Sequence, residues 1–186
     1  MSDGSDSKPG PAVFLDRDGT INVDVPYVGD PDEIKLLPNA VAGLCRLRDM
    51  GFALVIVTNQ SGIGRGYFTE EDFHQVQSRL FELFEPSGIS FLDAFFCPFH
   101  PEAKLPEYRR VSEDRKPSPG MLLKAAAKHG LDRDRSFMIG NSETDIEAGQ
   151  KAGCRTIRLC ESKAETKADF IAADLLEASR IIEANT

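Results

Sequence analysis

A run of four residues without a polar side-chain atom, Ala12, Val13, Phe14 and Leu15, ends abruptly in Asp16, Arg17, Asp18, Gly19 and Thr20. A strand with one face in water alternates apolar and polar residues. A run that is apolar at every position has to be covered on both faces, as in a parallel sheet with helices on either side. Residues 52–57, 91–97, 137–139 and 156–159 are similar short runs rich in apolar residues. Helical patterns lie between them. In residues 38–50 the apolar side chains fall at Ala40, Val41, Leu44 and Leu47, with Gly51 as a stop. Thr69 reads as a helix cap with Asp72 three residues on, followed by Phe73, Val76, Leu80, Leu83 and Phe84 on one face. Ser118 as cap, with Pro119 at the first helical position, opens a third helix that ends at Gly130. Residues 143–152, stopped by Gly153, and residues 174–184 complete the set. Strand and helix alternate throughout, which predicts an α/β fold with a Rossmann-like, doubly wound parallel sheet.

At 186 residues and 41% hydrophobic content the chain can bury one good core and is too short for two ordinary domains. Residues 11–186 are therefore expected to form a single domain, preceded by a disordered Ser-, Gly-, Asp- and Pro-rich tail over residues 1–10. The formal net charge of −8 gives no basic footprint for nucleic acid, so any anion has to be captured by local groups. No stretch approaches the roughly 20 apolar residues that span a bilayer, and the N-terminus is polar rather than an apolar signal core. A cytoplasmic protein with no membrane partner is expected, acting as a monomer. Cys45, Cys97, Cys154 and Cys160 form no CxxC pair, and at least three are expected in the core. His74 and His129 fall on helical patterns and are expected at the surface or its boundary.

In open α/β sheets ligands sit beyond the carboxyl ends of the strands. Those positions hold Asp16 to Thr20, then Thr58, Asn59, Gln60, Ser61 and Gly62, then Cys97, Pro98, Phe99 and His100, and finally the segment from Gly140 to Asp145. Asp16 and Asp18 can address one ligand if the chain leaves strand geometry at Arg17. A carboxylate nucleophile divides phosphate-ester hydrolysis into two in-line transfers. A second carboxyl can protonate the departing alcohol and later activate water. Taken alone, the same string is also a polar turn with Gly19 at positive φ. Thr58 and Asn59 offer a hydroxyl and backbone N–H groups for phosphoryl oxygens, or simply cap a strand end. Lys116, next to Pro117, would neutralise charge on a transferring group. The order of these groups at successive strand ends makes the signal specific. The glycine-rich stretch from Gly62 to Gly66 does not have GxGxxG spacing, which argues against a dinucleotide site. Arg65 within it is a substrate contact or a solvated loop residue.

With these motifs the sequence resembles the haloacid dehalogenase superfamily of phosphatases. Within it, the strings from Phe14 to Asn22, Thr58 to Gly66, Cys97-Pro98 and Arg115 to Met121 are similar to those of the D-glycero-D-manno-heptose 1,7-bisphosphate phosphatases. The resemblance implies the haloacid dehalogenase fold with little or no cap domain, and Mg²⁺-dependent hydrolysis of a sugar phosphate through an aspartyl-phosphate. The best match is removal of the C7 phosphate of the heptose bisphosphate. It implies Asp16 as nucleophile, Asp18 as acid and base, Thr58 and Lys116 as groups that stabilise the phosphoryl, and Arg115 as a substrate-recognition residue. Asp24, Val25, Pro26 and Tyr27, with Asn59, Gln60 and Ser61, match substrate-contact loops. Asp16, the main-chain carbonyl of Asp18 and Asn141 match the metal site. Asp145 either assists that site or caps a helix.

The sequence departs from this family at two places. Related enzymes carry a structural zinc on a Cys-x-His pair and a Cys-x-Cys pair before Arg-Lys-Pro. Here the four positions are Cys97, Phe99, Ser112 and Asp114, and even with His100 shifted in only three ligands are available, so a structural zinc is not expected. Asn141 stands where relatives carry Asp, which is expected to weaken Mg²⁺ binding, and Ser142 replaces a Lys that could meet substrate phosphate. Two alternatives stay open: a phosphatase of histidinol phosphate or another small metabolite, and a catalytically weak phosphosugar-binding protein.

Overall fold

A computed structural model describes residues 10–160 and 165–186. The disordered tail expected over residues 1–10 lies almost wholly outside the described residues. Gly10, the exception, is already tied down: its carbonyl accepts from the Asp132 N–H at 3.0 Å. Six parallel strands, β1 (Ala12–Leu15), β2 (Ala53–Asn59), β3 (Asp93–Cys97), β4 (Phe137–Gly140), β5 (Arg155–Leu159) and β6 (Phe170–Ala172), form one sheet in the order β3-β2-β1-β4-β5-β6. That is the doubly wound order, with the chain reversing direction across the sheet beside β1.

The helices are α1 (Ala40–Asp49), α2 (Ser61–Gly64), α3 (Glu70–Phe84), α4 (Gly120–His129), α5 (Glu143–Ala152) and α6 (Leu175–Glu183). Alternation along β1 explains its apolar run. Val13 and Leu15 face a core built from α1, α3 and α6, whereas Ala12 and Phe14 face a second core built from α4 and α5. All four side chains are fully buried. At roughly 1.5–3 kcal/mol for each fully buried large apolar side chain, a charged replacement anywhere in this run would disrupt the sheet. Among the described residues no separate cap is present: the two long connections, residues 16–39 and 98–119, carry only short 3₁₀ turns at Pro31–Glu33 and Pro106–Tyr108 as helical elements.

Several details differ from the sequence reading. β6 was not foreseen because three residues are too few for a periodic signal. It is held partly by Asp169, whose Oδ2 accepts from the N–H and hydroxyl of Thr156 on β5 at 2.7 and 2.8 Å. The Thr69 capping box is present, but α4 begins at Gly120 with Pro119 in the cap position and no side-chain cap, so Ser118 does not play that part. Cys97 and Cys154 are buried, while Cys45 and Cys160 are only half-buried, one fewer core cysteine than the three expected. His74 is exposed and His129 half-buried. Among the described residues no helix is long and apolar enough to cross a membrane.

Candidate active site

Register brings the strand ends together. Leu15 pairs with Ile56 on one side and Ile139 on the other, so Asp16, Thr58 and Asn141 follow at one edge of the sheet. The Asp16 N–H continues the ladder by donating to the Ile139 carbonyl at 3.0 Å, which fixes the direction of its side chain. Behind it stands Lys116, 2% exposed. Its ammonium donates to Asp16 Oδ1 at 2.7 Å, Asp145 Oδ1 at 2.6 Å and the Val57 carbonyl at 2.8 Å, so all three protons are engaged. Asn59 holds the Lys116 main chain from both sides: its Oδ1 accepts from Lys116 N–H and its Nδ2 donates to Lys116 O, both at 3.0 Å. The amide expected to touch substrate is thus turned to the lysine backbone.

Asp145 is 1% exposed on the first turn of α5. Its Oδ2 accepts from the N–H and hydroxyl of Ser142 at 3.0 and 2.6 Å, closing the capping box, while its Oδ1 takes Lys116. Gly140 permits this approach, since a Cβ there would lie 2.3 Å from Asp145 Oδ2. With both oxygens engaged, Asp145 serves as helix cap and lysine partner in this arrangement. One ammonium between two carboxylates leaves the buried triad of Asp16, Lys116 and Asp145 with one excess negative charge when all are ionised. The cost falls on Asp16. Its carboxyl is pushed up to about 7 overall: burial raises it most, Lys116 pulls it down, and Asp145 raises it again. Burial works against the charge of Lys116, but the two carboxylates outweigh it and raise its proton affinity above the ordinary value.

Asp18 is held by a different set of donors. Arg17 forks onto it through Nε at 3.2 Å and Nη2 at 3.0 Å, Asn22 Nδ2 donates to Oδ1 at 2.9 Å, and Gln60 Nε2 donates to Oδ2 at 2.9 Å. Arg17 is 1% exposed, and its guanidinium lies over the Phe73 ring at 5.3 Å. The turn that follows needs glycine twice over. Gly19 has φ +78°, and a Cβ there would come 2.0 Å from Asn141 Nδ2 and 3.5 Å from Asp24 Cβ.

These groups line a cavity of about 390 Å³, together with Asp24, Val25, Pro26, Tyr27, Ser61, Asn141 and Ser142. Tyr27 takes a left-handed backbone, φ 59°, and its ring stacks on Tyr67 with centroids 4.2 Å apart. Of the residues singled out in the sequence, Arg65 and Arg115 do not line this cavity. Arg115 instead lines an adjoining one of about 450 Å³ with His100, Ser112 and Ser118. Burial holds the Arg115 guanidinium below its ordinary value, and Arg65 pushes the same way. Sequence reasoning assigned no role to Arg17 or Asn22, although both lie within the opening motif.

The side chains lining this part of the cavity offer a cation hard oxygens: Asp16 beyond the oxygen taken by Lys116, and the Asn141 amide oxygen. This is not a carboxylate cluster, and among the described residues no group of three or more His, Cys, Asp or Glu is placed to hold a metal. Mg²⁺ keeps several waters and is often held by one or two carboxylates plus phosphate oxygens, and the excess negative charge of the triad favours it. The residues therefore fit the ion. The zinc-loop positions make contacts of their own. Cys97 Sγ lies 3.9 Å from the Phe99 carbonyl with its thiol pushed up by burial, and Asp114 pairs with Lys124 at 2.6 Å.

A carboxylate on the central strand of a doubly wound sheet, braced by a buried lysine from a later connection, places the protein among the haloacid-dehalogenase-like phosphatases. Residues 114–178 match the HAD-hydrolase-like family model. The chain is 39% identical to the D-glycero-β-D-manno-heptose-1,7-bisphosphate 7-phosphatase of Photorhabdus laumondii, over 93% of this chain and 95% of that one. It is 38% identical to the protein of that name from Escherichia coli K12, over 95% and 96%. It belongs to the same family as these phosphatases. The structure of a D,D-heptose 1,7-bisphosphate phosphatase from B. bronchiseptica, complexed with magnesium and phosphate, superposes with a TM-score of 0.82 at 25% identity, covering 95% of this chain and 99% of that one.

Proposed function

We propose that the protein hydrolyses the C7 phosphate of D-glycero-D-manno-heptose 1,7-bisphosphate through an aspartyl-phosphate on Asp16. The observation that carries the reading is the buried Lys116, which fixes one oxygen of Asp16 and leaves the other toward the cavity. That second oxygen attacks phosphorus in line with the departing alkoxide. Lys116 and the Thr58 hydroxyl stabilise the charge on the transferring group. Asp18 protonates the leaving oxygen, then takes a proton from the water that attacks the phospho-enzyme. Mg²⁺, held by Asp16, the Asp18 carbonyl and Asn141, supplies positive charge to the phosphoryl oxygens when bound. Asp24 to Tyr27 and Ser61 contact the sugar, with Arg115 toward the far phosphate. In this reading the protein acts as a monomer.

One observation favours a weaker relative of this activity. Asn141 supplies an amide where a carboxylate would bind Mg²⁺ more tightly, so phosphosugar binding with slow turnover is the second reading. Phosphate release from both anomers of heptose 1,7-bisphosphate and from histidinol phosphate, with the released position read by phosphorus NMR, decides between them. Release from C7 in Mg²⁺, abolished in Asp16→Asn, is expected. Tight binding without release at high Mg²⁺ would sink the first reading.

A further inference from the structure

Gln60 was expected to meet substrate, yet it is 5% exposed and its amide turns inward between two groups of the proposed mechanism. Nε2 lies 2.9 Å from Asp18 Oδ2 and 2.9 Å from Thr58 Oγ1. Arg17 and Asn22 already donate to Asp18, and the Gln60 amide presents its nitrogen there as well, so its second proton is committed to Thr58. The amide has little freedom to turn. Its main-chain N–H donates to the Cys97 carbonyl at 2.8 Å, and Asp18 is itself fixed by Arg17 and Asn22. Thr58 is 2% exposed and lines the cavity. A hydroxyl has one proton to give. Once its oxygen accepts from Gln60, that proton is left to point elsewhere.

We propose that Gln60 is a positioning residue: by donating to Thr58 Oγ1 it fixes that hydroxyl as a donor toward the transferring phosphoryl group. The proposal rests on the phosphatase reading above. Without Gln60 the hydroxyl can rotate, and its oxygen lone pair rather than its proton can face the phosphoryl oxygens. Gln60→Glu has nearly the same shape but offers Thr58 an acceptor, which draws the hydroxyl proton away from the cavity.

The test is steady-state hydrolysis of heptose 1,7-bisphosphate by the full chain in Mg²⁺, with thermal unfolding of each variant. Gln60→Ala is expected to lower kcat about tenfold and leave KM within about twofold, the signature of an interaction felt in the transition state. Gln60→Glu is expected to lose at least as much. Because Gln60 acts through Thr58, the double variant Thr58→Val with Gln60→Ala should be little slower than Thr58→Val alone. A rise in KM at unchanged kcat would make Gln60 a substrate contact and overturn the proposal. So would a double variant that loses the product of the two single effects. If Gln60→Ala does not fold, Gln60→Met, which keeps the volume but offers no donor, decides in its place by the same kcat, KM and double-variant criteria. A wild-type chain that releases no phosphate overturns the phosphatase reading and the proposal with it, whereas an active wild type with an unaffected Gln60→Ala overturns only the proposal.

Discussion

The floor of the cavity and the loop over residues 98–114 are held in opposite ways. On the floor, Asp16, Lys116 and Asp145 are buried charges, and all three protons of the lysine ammonium are committed. The loop lies largely in water and is held by lighter contacts. The Arg110 guanidinium sits 3.7 Å over the Phe99 ring, the Tyr108 hydroxyl donates to Glu70 Oε1 at 3.0 Å, and Leu105 N–H donates to the Gly64 carbonyl at 3.0 Å. Val111 within it is 77% exposed. Breaking one partner of a buried ion network strands the others without solvent, whereas breaking one contact in an exposed loop returns its groups to water. The candidate site lies where geometry is expensive to change, whereas the loop is held by packing and single hydrogen bonds.

The contrast can be broken most severely at Lys116. Lys116→Met leaves two carboxylates facing each other in the core and is expected to cost about 3–5 kcal/mol in denaturant unfolding. The same change is expected to lower kcat by about 10²–10³-fold through lost stabilisation of the phosphoryl group. Protonation offers a gentler probe. In the proposed mechanism Asp16 attacks as an anion, and its carboxyl is raised to about 7 mainly by burial, so turnover at limiting Mg²⁺ should fall about tenfold per pH unit below that value. Stability has the opposite sign. The folded chain keeps a proton on Asp16 that the unfolded chain releases near 3.8, so this group's contribution is full below that pH and is lost as pH rises toward 7. The wild-type melting temperature, relative to Asp16→Asn, should therefore decline across that window in the absence of divalent cations. Asn141→Asp sharpens the same point: calorimetric titration should show Mg²⁺ affinity raised about tenfold, with the metal-free protein less stable than wild type. The smallest effect is expected in the loop, where Phe99→Ala should lower stability by about 1 kcal/mol and leave kcat within about twofold.

Much of this was legible in the chain. The wholly apolar β1 required a buried parallel sheet, and the polar clusters after successive strands showed where the site would lie. The partners of individual side chains were not legible. Asn59 and Gln60 follow a strand end in the manner of ligand contacts, but Asn59 is bound to the Lys116 main chain and Gln60 to Asp18 and Thr58. Only the folded arrangement brings Lys116, from the connection before α4, between Asp16 and Asp145. Asp145 was readable as a cap from its spacing to Ser142, whereas its bond to Lys116 left no local trace. Arg17 was passed over because a charged residue between two aspartates reads as solvated surface, and it is among the largest fully buried side chains instead.

The strand order also has a consequence for synthesis. β1 is made well before one of its two neighbours, β4, and Lys116, which bonds Asp16, also follows it by a hundred residues in the chain. Asp16 therefore stays bordered on one side only until β4 has been made. A chain that stops before Lys116 carries the full opening motif but lacks both the lysine that holds Asp16 Oδ1 and the strand whose carbonyl takes its N–H.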